Sequence, residues 1–563
     1  ELLLTLEFRR RFVQQIDEMW SLCVSTILLQ GCISQNLDGP IVDTPQGRAL
    51  GWERMSRDGR PYQAWTRIPY AQPPVGKLRF MPPKLAKEWT GTLNATADIP
   101  VCLQPVTKNT TTGSEDCLYL NVYRPKARSD QALPVLFYVH AGAYHDENIG
   151  PREIADYLMD EDVILVAIHY RVNFFGFMTL GDTIFPGNFG LKDQLTALRW
   201  VKKNIASFGG DPNSVTLFGQ SSGGECVHQL LRSPLVEKEG LATRGVSDSG
   251  TINHMNSPMD ADKARENTLN IIRGVGCDRS CSEEIRKCLQ TVDAATLMEV
   301  YMDNYPTEIA PLPLAPVIEP EDAEDNVIPE DLSLRKSSKP WMTSTANGEG
   351  CLFMRMGYPS WFEKVRNNLT GYLESSIIDQ HTTDLTVIRE GARLLEKYYF
   401  PVMEPLENFT TEFDKMTGDN RFIYPYLFNI EKEKNNGPTW AFRNEYKGEL
   451  SGISPSGEIE LVDDVAGHAD TIKYYFNKRS TFPSVSPIET PADKAVSKRL
   501  IKYLVNFANY SNPTPPGSPF IWEQYKSNEI MRLTKNGDFM ADANYLSKLK
   551  TVLKLWSYAI GWK

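Results

Sequence analysis

Histidine is scarce in this chain, with only seven among 563 residues. Any chemistry that needs an imidazole must therefore draw on His140, His145, His169, His228, His254, His381 or His468. Positive charge is not in excess either. The net charge is −11, which argues against a nucleic-acid partner, because such binding depends on clustered Lys and Arg. No apolar run is long enough for a comfortable membrane span, and there are no internal repeats and no heptads. No motif calls for a metal or a cofactor. Nine cysteines are too few for a disulfide-rich scaffold in a chain this long, but they are grouped. Cys102 and Cys117 form one local cluster and Cys277, Cys281 and Cys288 another, as small disulfide loops would in an exported protein. Cys226 and Cys351 stand apart and read as buried thiols.

The beginning of the chain carries an export signature. "MWSLCVSTILLQGCIS", from Met19, is a short apolar run ending in small residues, with a possible cut before Gln35. "FRRRF" supplies positive charge further upstream. Residues 1–18 read either as an extended n-region or as sequence ahead of a start at Met19, and a retained signal anchor is the alternative. The expected division is a leader over 1–34 and one domain over 35–563. Five sequons, at Asn94, Asn109, Asn368, Asn408 and Asn509, favour a glycoprotein. The C-terminal "LKLWSYAIGWK" has neither an apolar anchor tail nor a retrieval signal, so release outside the cell is expected.

Three apolar runs read as buried strands: "PVLFYVHA" from Pro134, "DVILVAIHY" from Asp162 and "SVTLFGQ" from Ser214. Between the last two lies "KDQLTALRWVKKNIASF", whose Leu195, Leu198, Val201 and Ile205 share a helical face. Alternation of this kind predicts an α/β fold with a mostly parallel sheet covered by helices on both faces. The acidic, proline-rich stretch 311–332 reads as a long loop or edge segment, and "ANYLSKLKTVLKLW" as a terminal helix packed across the body.

Chemistry centres on Gly219-Gln220-Ser221-Ser222-Gly223. A G-x-S-x-G run is weak evidence alone. Here it follows a strand and opens a helix, which is what a nucleophile elbow requires. A serine needs a base, and in a Ser–acid–His order that base lies well downstream. His381 and His468 remain. His381 sits in a polar stretch and reads as a surface residue, whereas His468 follows Gly467 in a loop opening onto a helical pattern. The acid lies between Ser221 and the base. Glu349, on a turn after the β-prone "WMTSTA", is one of many carboxylates there. "YVHAGAYH" after the first strand resembles the oxyanion motif of esterases, and would pair the N–H groups of Gly142 and Ala143 with that of Ser222.

Taken together, "YAQPPVGKLRFMPP", "SEDCLYLNVYRP", "GNFGLKDQLTALRWVKKNIASFGGDPNSVTLFGQSSGG" and "ANGEG" resemble the type-B carboxylesterases of the cholinesterase-like α/β-hydrolase family, in family order over 37–560. The resemblance implies a Ser221–Glu349–His468 triad and an oxyanion hole at Gly142, Ala143 and Ser222. It also implies disulfides Cys102–Cys117 and Cys277–Cys288, a small-molecule ester as substrate and no cofactor. Departures are Ala141, which adds a β-carbon beside the oxyanion donors, Ser222 where alanine is commoner, Asp464 where glycine is usual and Thr471 where an acid often follows the histidine. A general or detoxifying secreted carboxylesterase is the main expectation. Gln220, Arg79-Phe80 and Asp193-Gln194 resemble juvenile hormone esterases, which is the alternative. The Cys102–Cys117 loop has no tryptophan, against acetylcholinesterase. A non-catalytic adhesion protein of this family would usually lack the triad.

Overall fold

A computed structural model describes residues 39–107, 110–126, 131–150, 154–254, 257–305, 312–351, 364–378, 384–402, 406–448, 465–477 and 488–561. The chain divides into two units, 1–40 and 41–563. The expected leader, 1–34, lies outside the described residues. The second unit carries the sheet, the helices and the candidate site.

Eleven strands form one sheet: β1 (Trp52–Met55), β2 (Pro61–Pro69), β3 (Tyr119–Pro125), β4 (Leu133–Val139), β5 (Ile164–Ile168), β6 (Gly210–Gln220), β7 (Arg244–Asp248), β8 (Trp341–Ala346), β9 (Thr439–Asn444), β10 (Ile530–Thr534) and β11 (Gly537–Met540), in the order 11-10-9-8-7-6-4-5-3-2-1. Pairing is parallel from β5 through β4, β6, β7, β8 and β9 to β10. It is antiparallel at both margins.

The central strands are continuous apolar runs because both faces are covered. Along β4, Val135, Phe137 and Val139 pack into one core with Leu195 and Leu198 of α1 (Phe189–Asn204) and with Val227 and Leu230 of α2 (Ser222–Arg232). Leu136 and Tyr138 point the other way, into a second core with Leu500, Leu504 and Phe507 of α3 (Pro491–Tyr510). The period-2 alternation of a strand thus serves two helical layers. The terminal helix α4 (Ala543–Ala559) packs as expected, with Trp556 fully buried and its indole N–H donating to the Tyr399 hydroxyl at 3.1 Å.

Two disulfides are formed, Cys102–Cys117 and Cys277–Cys288. Cys281 is exposed and unpaired, which settles the odd cysteine of that cluster, and Cys226 and Cys351 are buried thiols. Asn94, Asn368 and Asn509 are exposed. Asn109 and the Asn408 side chain lie outside the described residues.

Sequence periodicity understates how deeply α1 is buried. Its polar residues Lys192, Asp193 and Gln194 are as inaccessible as its leucines, and the two charged ones are ion-paired. The Lys192 ammonium meets the Glu319 carboxylate with both side chains fully buried, and also donates to the carbonyls of Glu324 (2.6 Å) and Asp325 (2.9 Å). Glu319 accepts in turn from the Val327 and Ile328 N–H groups at 2.9 and 3.1 Å. The acidic stretch is therefore irregular, as expected, but it is tied to α1 by the fully buried Lys192–Glu319 pair and by a half-buried Arg199–Asp325 pair at 2.6 Å. Removing one partner leaves the other charge buried and unmatched, which costs about 3–5 kcal/mol. Lys192→Met is expected to lower unfolding free energy by that order in denaturant titration. A Lys192→Met/Glu319→Gln double variant is expected to recover much of it. A double variant no more stable than the single one counts against this account.

Candidate active site

β6 ends at Gln220 and α2 begins at Ser222, so Ser221 alone turns the chain. Its backbone sits at φ +56°, ψ −129°, a conformation that an L-residue holds only when its surroundings impose it. The Ser221 N–H donates to the Asp248 carbonyl at the end of β7, 2.8 Å away. A β-carbon on Gly219 would lie 2.3 Å from the Gly223 carbonyl oxygen, and one on Gly223 would lie 2.3 Å from that of Val139. Glycine is required at both places for helix, turn and neighbouring strand to come this close.

His468 reaches Ser221 from the far side. Its Nε2 is 2.9 Å from the Ser221 Oγ, and its Nδ1 is 2.7 Å from Glu349 Oε2. The loop carrying it is fastened to the end of β8. The Gly348 N–H donates to the Ala466 carbonyl (2.8 Å), the Ala466 N–H to Asn347 Oδ1 (2.7 Å) and the Gly467 N–H to Asp470 Oδ2 (2.7 Å). The imidazole also lies against the Phe422 ring, with centroids 4.3 Å apart. Glu349 is buried just past β8, and its other oxygen accepts from the Ser249 hydroxyl (2.7 Å), the Thr345 hydroxyl (2.9 Å) and the Ala346 N–H (2.6 Å). Three donors plus the histidine satisfy a carboxylate that burial alone would make costly. The three expected residues are thus brought together, all buried. His381 lies outside the described residues.

The loop after β4 carries Gly142 and Ala143, and Gly223 abuts its start at Val139 and His140. Left-handed backbone falls on Gly142 (φ +105°), Ala143 (φ +52°) and Tyr144 (φ +63°), not on Ala141. Strain at this loop therefore belongs to the residues after Ala141, whose carbonyl accepts from the His140 Nδ1–H at 2.8 Å. The loop is tied to the first turn of α2 by the Tyr144 hydroxyl, which donates to Glu225 at 2.8 Å. Burial pushes the Glu225 carboxyl well above the usual carboxylate range. Ser222 opens α2, so its N–H is one of the unpaired donors at a positive helix end. Such an array suits an oxyanion.

Several participants were not evident in the sequence. Ser249 touches Glu349 and Phe422 touches His468. Asp248 holds the turn with its carbonyl and has its carboxylate buried between the hydroxyls of Ser344 and Thr471, each donating at 2.5 Å. Thr471, where an acid often stands, therefore serves an acid on β7 instead. The only signal was position: "SDSG" (247–250) spans the C-terminal end of a central strand, where sites in open α/β sheets gather. The pairs compared with juvenile hormone esterases bind inside the scaffold. Arg79 grips Glu115 (2.6 Å) and the Val292 carbonyl (2.6 Å), and Phe80 stacks on Phe175. Asp193 pairs with Arg171 (2.7 Å), and Gln194 donates to the Cys226 sulfur (3.4 Å).

A parallel-centred sheet with this elbow defines an α/β hydrolase. Residues 38–551 match the carboxylesterase family. The chain is 32% identical over 513 residues to a carboxylic ester hydrolase of Bombus ignitus, covering 87% of this chain and 90% of that one. It is also 32% identical over 508 residues to a juvenile hormone esterase of Tribolium castaneum, with 84% of each covered. Its fold is similar to that of a juvenile hormone esterase from Manduca sexta solved with OTFP covalently attached, at TM-score 0.81 and 24% identity, covering 93% of this chain and 99% of that one. The chain belongs to the carboxylesterase family and is a type-B carboxylic ester hydrolase. Among the described residues no helix is long and apolar enough to cross a membrane.

Burial pushes the Asp248 carboxyl up to about 6, against the hydrogen bonds from Ser344 and Thr471, with Glu349 adding to the rise. An unfolded aspartate titrates near 3.9. Between those values the folded state binds the extra proton, so this group makes stability fall as pH rises from about 4 through about 6. Asp248→Asn removes that dependence. Denaturant midpoints of parent and variant, compared at about pH 4 and about pH 7, are expected to shift in the variant's favour at the higher pH. A difference between the two proteins that is the same at both pH values contradicts the assignment.

Proposed function

We propose that the protein is a secreted carboxylesterase of broad, detoxifying type that hydrolyses small uncharged carboxylic esters through an acyl-enzyme on Ser221. The reading rests on one observation, the continuous Ser221–His468–Glu349 hydrogen-bond chain at 2.9 and 2.7 Å. In the first half-reaction the Ser221 Oγ attacks the ester carbonyl carbon while His468 Nε2 takes the hydroxyl proton. Glu349 keeps the imidazole in the Nδ1–H tautomer and offsets the imidazolium charge. The carbonyl oxygen, now negative, is received by the N–H groups of Gly142, Ala143 and Ser222. The tetrahedral species collapses, the alcohol leaves with the proton from His468, and the acyl group stays on Ser221. Water then repeats the sequence, releasing the acid.

Release outside the cell is supported by the two disulfides and by the exposure of Asn94, Asn368 and Asn509. A second reading, hydrolysis of a juvenile hormone, is favoured by the Tribolium relative that carries that name.

Ser221→Ala is expected to leave folding intact and to lower turnover of a neutral ester by several orders of magnitude. His468→Ala is expected to do the same. An organophosphate should label the parent on Ser221 and leave Ser221→Ala unlabelled, as read by peptide mass. Turnover within about tenfold of the parent in either variant would remove that residue from the mechanism. A panel of esters graded by acyl and alcohol size separates the two substrate readings. Broad turnover fits the first, and a strong preference for a juvenile hormone over simple esters fits the second.

A further inference from the structure

Gln220 is a side chain of this site to which the reaction as written gives no role. It precedes the nucleophile and is 2% exposed. Its amide Nε2 lies 3.2 Å from His468 Nε2, the ring nitrogen that also faces Ser221. Nδ1 carries its proton toward Glu349, so Nε2 presents a single in-plane lone pair. Two donors converge on that lone pair, the Ser221 hydroxyl and the Gln220 amide.

The amide N–H can bond only to the neutral ring. Once Nε2 is protonated, two N–H groups face one another until the amide rotates and offers its oxygen. With Ser221 as nucleophile and His468 as base, the reading on which this role rests, we propose that Gln220 is a positioning residue that holds His468 as the neutral base and so extends turnover toward acidic pH. A carboxylate in its place would offer only acceptors and a negative charge, both of which favour the imidazolium.

Other charged groups bear on the same ring from each element packed around it. Glu349 faces it from the end of β8 and Asp248 interacts with it from the end of β7. His254, in the segment after β7, is kept neutral by burial, with His468 and Arg421 both disfavouring its charge. Arg421 and Phe422 come from the helical turn Asp419–Ile423. Glu225, on α2, lies 3.5 Å from His254, and Asp470 shares the histidine's own loop. All remain when Gln220 alone is replaced, so a shift caused by that replacement reports on the amide.

The test is the pH profile of kcat/KM for a neutral ester, whose acid limb follows the base of the free enzyme. Gln220→Glu is expected to move that limb upward by about one to three pH units, the usual effect of an opposite charge within about 4–6 Å. Gln220→Met, which removes the donor without adding charge, is expected to move it upward by less. Both replacements match glutamine in length, so either one that folds by near-ultraviolet circular dichroism decides the matter. An acid limb that stays in place or moves down in a folded variant overturns the role. Parental turnover that survives Ser221→Ala overturns the reading of the site itself, and this role with it. Turnover that needs Ser221 together with an unmoved limb overturns the role of Gln220 alone.

Discussion

Everything at the site depends on one residue being held in a backbone conformation it would not choose. Ser221 turns the chain from β6 into α2 in a single step, at φ +56°. The turn is possible because Gly219 and Gly223 let two backbone segments approach where a β-carbon would collide, and because the Asp248 carbonyl takes the Ser221 N–H. From that turn follow the positions of the Ser221 hydroxyl, the Ser222 N–H at the head of α2 and the Gln220 amide beside the histidine. Strain of this order is tolerated only in a rigid setting. The parallel centre of the sheet supplies it, with α1 and α2 on one face and α3 on the other.

Charge is managed by the same rigidity. Glu349, Asp248, Glu225 and His254 are all buried within the layers around Ser221, where an unmatched ion would be costly. Fixed donors answer two of these carboxylates: Ser249, Thr345, the Ala346 N–H and His468 for Glu349, Ser344 and Thr471 for Asp248. His254 resolves the problem by staying neutral. Dipoles fixed in this way need not reorganise when charge develops on a bound ester, which is the principal electrostatic advantage of such a site. Away from the centre, Lys192 and Glu319 apply the same rule to the scaffold. They pin an otherwise irregular acidic segment against α1.

The departures from the family pattern become intelligible through contacts. Thr471 stands where an acid is common, and its hydroxyl binds the Asp248 carboxylate at the end of β7. Ala141 does not carry the left-handed backbone of the loop after β4, which falls on the next three residues. Arg79, Phe80, Asp193 and Gln194 make their contacts inside the protein, away from the triad. Their likeness to juvenile hormone esterases is therefore a likeness of scaffold.

The elbow, the central strands and α1 were legible in the sequence because their causes are local. Glycine spacing, an unbroken apolar run and a 3.6-residue stripe act over a few residues and leave their mark there. Histidine scarcity, together with the Ser–acid–His order, narrowed the candidate base to His381 and His468. The acid was different: among many carboxylates only family resemblance singled out Glu349, and nothing near it in the chain announces Ser249, Asp248 or Phe422. Glu349 and His468 are separated by 119 positions, and their loops meet through the Gly348–Gly467 bridge. The sequence by itself determined that a serine would be lifted onto a tight turn between strand and helix, because sterics at the turn are short-ranged. Only the tertiary structure decided which acid and which ring would face it, because hydrogen bonds across the sheet depend on how distant strand ends are brought side by side.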